Sequence, residues 1–516
     1  MLVEHFLEHS AKTFPDKVAL VCSNERLTYR EIEERSNRLA HALMAAGVQR
    51  GDRLAICLEN SPEAVISVFA TLKAGAVFLL LNPSMKVEKL TYVLNNCRAT
   101  ALILSDRKME AIRDCWEQTA HLRTVYVKGD LGSAPAGTGR QFLSLEEVWT
   151  GDAHRAAPPR SQNIDLDLAA LLYTSGSTGK PKGVMLTHRN ICSAADSVTA
   201  YLGNTPQDVI LNLLPLFFGY GLYQVLMTFQ CGGTVVLERS FAFPHTTLEK
   251  IGRERVTGLA IVPTVAALLL QMDLTPYDFS TVRYVTNAGA ALPVEYVRQL
   301  RQRLPHVQLF LMYGQTECIR TSYLDPAEVD RRPDSVGQAM PNCEVYIVDE
   351  GGRRLPPGEV GELVVRGSNV MPGYWELPEE TVKVLRPGPL PGDRVLHSGD
   401  LFRMDAQGFL YFVSRGDDII KVRGQRLSPK EIEDVLCRIP GVIQAVVVGL
   451  PDPVLGTAIK ALVQRRDGVH LTAQEVMAYC ADHLEDFMVP TVVEFCNDFP
   501  TTDTGKIRRQ ELRVQP

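Results

Sequence analysis

The chain of 516 residues is 45% hydrophobic and 22% charged, with 38 Gly and 31 Pro, an ordinary globular composition that supplies large cores and excludes collagen-like and disordered readings. Lys and Arg number 54 against 60 Asp and Glu, a formal charge of −6, so there is no global basic field for nucleic acid or anionic lipid. A polyanionic ligand must therefore be held by local groups. The 11 cysteines are an odd set without CxxC spacing, which fits neither a metal knuckle nor a disulfide scaffold. The polar opening MLVEHFLEHSAKTFPDK argues against a signal peptide. Apolar runs such as Ala74 to Leu81 are too short for a membrane span, so a reducing cytoplasm is the expected compartment.

Near the start, His5-Phe6-Leu7-Glu8-His9 spells the HxxEH metalloprotease pattern, but without an evident third ligand it reads as a chance match on a helix surface. Leu27 to Ala46 carries apolar residues at helical spacing with Gly47 as its cap. Arg53 to Leu58 reads as a buried strand, Pro62 to Ala74 as helix and Val77 to Leu81 as strand. The alternation recurs at Ala101 to Leu104, Val209 to Leu214, Thr234 to Leu237 and Thr281 to Val285, each followed by helical stretches, which predicts parallel sheets built from crossover units. After Pro341 the texture changes to shorter strands with turn residues, as in a β-rich subdomain. Beyond Arg415 come a strand-like Ile419 to Val422, a Gly424 turn, and a helix opening at Ser428-Pro429 with Glu431 at capping-box spacing. The predicted class is α/β. A large N-terminal domain over 1–414 combines parallel-sheet subdomains with a β-rich one, 415–418 connects, and 419–516 forms a small α+β C-terminal domain.

Four stretches carry chemistry. Tyr173 to Gly183, YTSGSTGKPKG, follows the strand-like Leu168 to Leu172 and combines three glycines, four Ser and Thr hydroxyls, Lys180 and Lys182, the makings of a polyphosphate cradle. It is no Walker loop, since Pro181 follows Gly179-Lys180, and no nucleophile elbow. The plain alternative is a surface turn. Tyr313-Gly314-Gln315-Thr316-Glu317 follows the strand-like Gln308 to Met312 and sets a hydroxyl and a carboxylate where α/β sheets bind ligands. Glu317 suits the Mg²⁺ that accompanies a nucleotide. In Ser398-Gly399-Asp400 an Asp freed by a Gly turn suits a vicinal ribose diol, or caps a turn. PTTDTGKIRR, from Pro500 to Arg509, puts Lys506 on a Gly-containing turn that otherwise reads as solvated tail.

Taken in order with Leu27-Thr28-Tyr29-Arg30-Glu31, Leu72-Lys73-Ala74-Gly75-Ala76, Gly361-Glu362-Leu363, Gly373-Tyr374 and Arg415 to Arg426, these segments resemble the AMP-forming acyl- and aryl-CoA synthetase, peptide-synthetase adenylation domain and luciferase superfamily over nearly the whole chain. The resemblance implies that a carboxylate attacks the α-phosphate of ATP, giving acyl-adenylate and pyrophosphate, and that a thiol then displaces AMP. It further implies that Thr174, Ser175, Gly176, Ser177, Thr178, Gly179 and Lys182 cover the β- and γ-phosphates, that Thr316 contacts the α-phosphate and that Glu317 binds Mg²⁺. By the same likeness Gly289, Ala290 and Ala291 contact adenine with Tyr313 stacking on the base, Asp400 takes the ribose hydroxyls beside Arg415, and Lys506 is the main catalytic residue of the first half-reaction. The small domain would swing about Asp417 and present Gly424 and Arg426 to the thiol tunnel.

The segment Leu214 to Gly221 matches the acyl-pocket segment of that superfamily. Where amino-acid-activating members carry an Asp, this chain has Phe218, so an ammonium group would find no counterion and ordinary α-amino acids are not expected as substrates. Phe218, Tyr220 and Tyr223 are expected to form apolar walls, with Gly219 and Gly221 leaving space, for medium or long aliphatic or aryl acids; Tyr223 reads equally well as core. No carrier domain follows Lys506 and the chain does not end in a peroxisomal tripeptide. A diffusible thiol is therefore expected, coenzyme A or a separate carrier protein's phosphopantetheine arm. A non-catalytic nucleotide-binding relative and a luciferase-like oxygenase are the remaining alternatives.

Overall fold

Short aliphatic runs buried on both faces build two largely parallel sheets, as crossover connections require. A computed structural model describes residues 1–132, 138–151, 155–174, 181–418, 420–422, 425–452, 456–502 and 507–514. In a nine-stranded sheet, Gln308–Tyr313, Tyr284–Asn287, Gly258–Ile261, Val209–Asn212, Thr234–Leu237 and Val18–Cys22 lie side by side in parallel, with antiparallel strands at both edges. In a seven-stranded sheet, Gln141–Ser144, Thr124–Lys128, Ala99–Ser105, Arg53–Cys57, Val77–Leu80 and Leu168–Thr174 run parallel, and Lys182–Thr187 closes the edge antiparallel.

Helices that are apolar all round must be buried. Pro62–Lys73 and Gly219–Cys231 are such helices, and they meet through Phe69 and Phe229, which stack with centroids 5.6 Å apart inside one shared core. Beyond Pro341 the chain forms the expected β-rich unit, a five-stranded antiparallel sheet of Cys343–Val348, Val360–Gly367, Leu385–Pro387, Arg394–Met404 and Leu410–Arg415. A 3-10 turn at Gly416–Asp418 leads into the C-terminal residues, whose strands Val442–Asp452, Gly456–Arg465 and Val492–Cys496 and helices Pro429–Leu436 and Ala473–His483 enclose cores of their own.

The expected boundaries shift where a side chain takes over the backbone's hydrogen bonds. The first long helix starts at Tyr29 rather than Leu27, because Glu25–Thr28 pairs with Val18–Cys22 and Thr28 caps the helix in a capping box with Glu31. The strand expected to reach Leu214 ends at Asn212, whose Oδ1 accepts from Leu214 N at 3.1 Å and turns the chain. The strand expected over Thr281 to Val285 runs over Tyr284–Asn287. At Ser428 the capping box does not form: its hydroxyl donates instead to the Val413 carbonyl, tying the helix Pro429–Leu436 to the strand Leu410–Arg415. All 11 cysteines are free thiols. Among the described residues no helix is long and apolar enough to cross a membrane, and no group of three or more His, Cys, Asp and Glu is placed to hold a metal, His5, Glu8 and His9 included.

Candidate active site

The carboxyl ends of parallel strands are where an open α/β sheet offers backbone and side-chain groups to a ligand. The strand Gln308–Tyr313 ends there, and Tyr313 donates its hydroxyl to Asp400 Oδ2 at 2.6 Å. Gln315 Nε2 donates to the same oxygen at 2.8 Å and to the Ser398 carbonyl at 2.9 Å. The strand register sets Asp400 opposite Arg415, whose Nε lies 3.7 Å from Asp400 Oδ1. Asp400 does not sit on a free turn, as its sequence context suggested. It lies within the long strand Arg394–Met404, where Gly399 at φ +71 makes a kink held by the Gly399 N–H on Glu362 Oε1 at 3.0 Å. Burial, then the charge of Asp400, pushes the Tyr313 hydroxyl well above the usual phenol range, so it stays a donor.

From this corner the contacts continue toward the segment Tyr173 to Gly183. Thr174 pairs with Lys182 across the antiparallel edge of the seven-stranded sheet, so the two residues flank the segment between them. Ser175, Gly176, Ser177, Thr178 and Gly179 lie outside the described residues. The Lys182 ammonium sits 2.7 Å from Glu380 and 5.4 Å from the ring centroid of Tyr374, whose hydroxyl donates to Glu317 Oε1 at 2.9 Å. Thr316 and Glu317 follow Gly314 in a tight loop where only glycine fits, since a Cβ would stand 2.4 Å from the Ile319 carbonyl oxygen. Sequence reasoning quoted Gln315 and Tyr374 without giving either a role, and it missed Glu380. What each of the three does depends on a partner far along the chain, which no local signature discloses.

Gly289 at φ +88, Ala290 and Ala291 follow the strand Tyr284–Asn287 at the same end of the nine-stranded sheet, and Asn287 Nδ2 donates to the Ala290 carbonyl at 3.2 Å. Phe218 caps the buried helix Gly219–Cys231, Tyr220 donates its hydroxyl to the Thr286 carbonyl at 2.9 Å, and the two rings meet edge to face. Gly221 does not leave room for a ligand. A Cβ there would stand 2.3 Å from the Pro215 carbonyl oxygen, so the glycine is needed for close backbone approach. Gly219 is open, with Leu172 Cδ1 as the nearest atom at 3.7 Å. Tyr223 is buried, and its hydroxyl has no hydrogen-bond partner.

Of the C-terminal residues singled out, Asp417 lies on the 3-10 turn Gly416–Asp418 and Arg426 on the short strand Gln425–Leu427. Gly424 and Lys506 lie outside the described residues.

Comparison with known proteins matches residues 7–375 to the AMP-binding enzyme family and 431–506 to the AMP-binding enzyme C-terminal domain. The chain belongs to this family of class I adenylate-forming enzymes. It is 31% identical to a long-chain-fatty-acid–CoA ligase of Escherichia coli, over 99% of this chain and 94% of that one. It is 35% identical to a feruloyl-CoA synthase of an Amycolatopsis species, over 98% and 96%. Its fold matches that of the anthranilate CoA ligase AuaEII in complex with anthranoyl-AMP with a TM-score of 0.90 at 26% identity, over 99% and 96% of the two chains. Within the superfamily, the protein is an enzyme of the AMP-forming acyl-CoA synthetase type.

Proposed function

We propose that the protein uses ATP to convert a medium or long aliphatic, or an aryl, carboxylic acid into an acyl-adenylate with release of pyrophosphate, and then transfers the acyl group to the thiol of coenzyme A. The observation that carries this reading is the convergence of Tyr313, Gln315, Asp400 and Arg415 next to Glu317, Tyr374 and Lys182 where three sheets meet.

The barrier in the first step is electrostatic, because an anionic carboxylate must approach an anionic phosphate. Asp400, its carboxylate oriented by two donors, binds the ribose hydroxyls, with Arg415 beside it. Gly289, Ala290, Ala291 and Tyr313 flank the base. Thr316 contacts the α-phosphate. Thr174 and Lys182, with 175–179 between them, hold the outer phosphates. Lys506 neutralises charge between carboxylate and phosphorus. Glu317 suits Mg²⁺: one carboxylate oxygen is fixed by Tyr374, and the other meets no donor among the described residues. A single carboxylate is enough when phosphate oxygens and water complete the shell, and the ion would supply charge neutralisation at the phosphates. The second step needs Lys506 withdrawn from the acyl carbon. A swing of 419–516 about Asp417, exposing Gly424 and Arg426 to the thiol, accomplishes that.

Acid-dependent exchange of labelled pyrophosphate into ATP, followed by AMP release on adding coenzyme A, tests the reading. Lys506→Ala should abolish exchange while thiolysis of supplied acyl-adenylate survives. Release of ADP and phosphate instead of AMP would reject the mechanism. Thioester formed on a carrier protein but not on coenzyme A would reassign the acceptor.

A further inference from the structure

Among the described residues, the buried lysines have carboxylate partners. Lys73 lies 2.9 Å from Glu8 and 2.8 Å from Glu33, and Lys460 lies 2.6 Å from Glu494. Arg320 differs from them. It is 5% exposed, its Nε is enclosed without a hydrogen-bond partner, and among the described residues no carboxylate or carbonyl meets its guanidinium. An arginine is rarely buried without an anionic or hydrogen-bonding partner, because desolvation of the charge is then uncompensated.

The backbone is built to put it there. Ile319 holds φ at +61, a left-handed conformation that β-branched residues avoid, and the Arg320 N–H closes a tight turn on the Cys318 carbonyl at 2.6 Å. The turn is clamped by the fully buried Asn369, whose Nδ2 donates to the Cys318 carbonyl at 2.8 Å and to the Arg320 carbonyl at 2.7 Å. Strain of this kind persists where surrounding contacts over-determine it, and it concentrates at ligand-binding positions. The guanidinium so placed stands 5.0 Å from the ring centroid of Tyr220, and Tyr223 follows three residues on along the same helix, on the same face as Tyr220. Burial pushes the Tyr220 hydroxyl up to about 12, against the pull of Arg320. Tyr220 spends its hydroxyl on Thr286, whereas the Tyr223 hydroxyl is unpartnered. Two unused donors therefore lie against the aromatic wall of the candidate acyl pocket, a few residues past Thr316 and Glu317.

We propose that Arg320, with the Tyr223 hydroxyl, is a receptor for a second oxygen-bearing anion on the acid substrate, in first place a carboxylate remote from the one that is activated. The inference rests on the acyl-adenylate reading above and deepens it by naming the substrate class. A carboxylate offers two acceptor oxygens to the guanidinium fork and supplies the missing countercharge, while the tyrosine and phenylalanine rings pack on the carbon frame between the two carboxyl groups. A plain aliphatic acid of the same length satisfies neither donor and leaves the charge desolvated, which is how a polar site rejects an apolar analogue.

The test is pyrophosphate exchange without any thiol, so that acid selection is read alone, on pairs of acids matched in length with and without a second carboxylate, on aliphatic and aryl frames. Wild type should favour the dicarboxylic member in kcat/KM by at least tenfold. Arg320→Met, which keeps the bulk of the side chain, should reverse or erase that preference with the KM for ATP unchanged, Arg320→Lys should retain part of it, and Tyr223→Phe should weaken it. Melting curves and ATP binding identify a variant that has merely failed to fold, and Tyr223→Phe, which removes one oxygen, then carries the decision. Exchange that is brisk with plain acids and indifferent to both substitutions would overturn the role of Arg320 while leaving the acyl-adenylate reading intact. No exchange with any acid would strike at that reading instead.

Discussion

The Lys182 ammonium lies 2.7 Å from the Glu380 carboxylate on the helix Pro378–Val384. Hydrogen bonds from Lys182, then Lys383, hold that carboxyl down at about 2, so its charge is kept across the physiological range. A carboxyl lowered in the folded state keeps its ion pair in full above its ordinary value of 4.5 and loses it only as the pH falls through about 2. If Lys182 serves the outer phosphates of ATP, Glu380 competes with them. Glu380→Gln is therefore expected to lower the KM for ATP a few-fold at pH 7.5, in keeping with the modest worth of partly exposed pairs, with the KM for the acid unchanged. A higher KM for ATP would mean that Glu380 positions Lys182 rather than competes for it.

Asp400 receives two donors on one oxygen, from Tyr313 and Gln315. Asp400→Asn removes the charge and turns an acceptor into a possible donor facing them. Charge-assisted hydrogen bonds are worth about 1.5–3 kcal/mol, so calorimetric titration with AMP should show affinity falling by about 10- to 100-fold. Tyr313→Phe, which leaves Gln315 in place, should cost less. Equal affinities for AMP in wild type and Asp400→Asn would overturn the proposal that Asp400 binds the ribose.

The alternation of aliphatic runs and amphipathic stretches made the parallel sheets legible, because a strand buried on both faces and a helix buried all round both write themselves as apolar runs. The β-rich unit after Pro341 was legible from its turn residues. What escaped the sequence is what depends on a partner far along the chain. Ser428 has capping-box spacing, yet its hydroxyl is taken by Val413. Gly221 looks like vacant space, yet backbone fills it. Glu380 and Tyr374 join the site only because an antiparallel bridge sets Val184 against Tyr374, and Arg320 stands out only once the lack of a hydrogen-bond partner for its Nε among the described residues is visible.

Gly221 and Gly219 are separated by one residue and predict opposite outcomes. A methyl at Gly221 would meet the Pro215 and Leu214 carbonyl oxygens at 2.3 and 2.8 Å, and the Asn212 side chain bonded to the Gly221 carbonyl would be displaced with it. Gly221→Ala is expected to destabilise by about 1–3 kcal/mol or more, seen as a lower Tm and weaker binding of the acid. Gly219→Ala meets only Leu172 Cδ1 at 3.7 Å, so its Tm should hold while the preferred acid length shifts. Similar melting temperatures for both variants would show that the turn before the helix is more yielding than its contacts imply.

At the start of the N-terminal helix His5–Thr13, Glu4 is 1% exposed, accepts from Asn163 Nδ2 at 3.1 Å and lies 3.4 Å from His188 Nδ1, which accepts the Val3 N–H. Burial raises the Glu4 carboxyl from 4.5 to about 7 and lowers His188 from 6.5 to about 4. The raised carboxyl contributes fully below pH 4.5, and its contribution is lost as the pH climbs through about 7, since the folded state then gives up a proton that it held more tightly than the unfolded chain. His188 acts in the opposite sense between about 4 and 6.5, so wild-type stability alone would blur the two. Glu4→Gln separates them, because the amide imitates the protonated acid at every pH. Relative to wild type it should be near neutral at pH 5 and more stable at pH 8 by on the order of 2–3 kcal/mol, read as a Tm difference that opens between the two conditions. A difference that is the same at both pH values, or a loss at pH 8, would mean that Glu4 is held ionised by its neighbours and that burial does not govern this cluster.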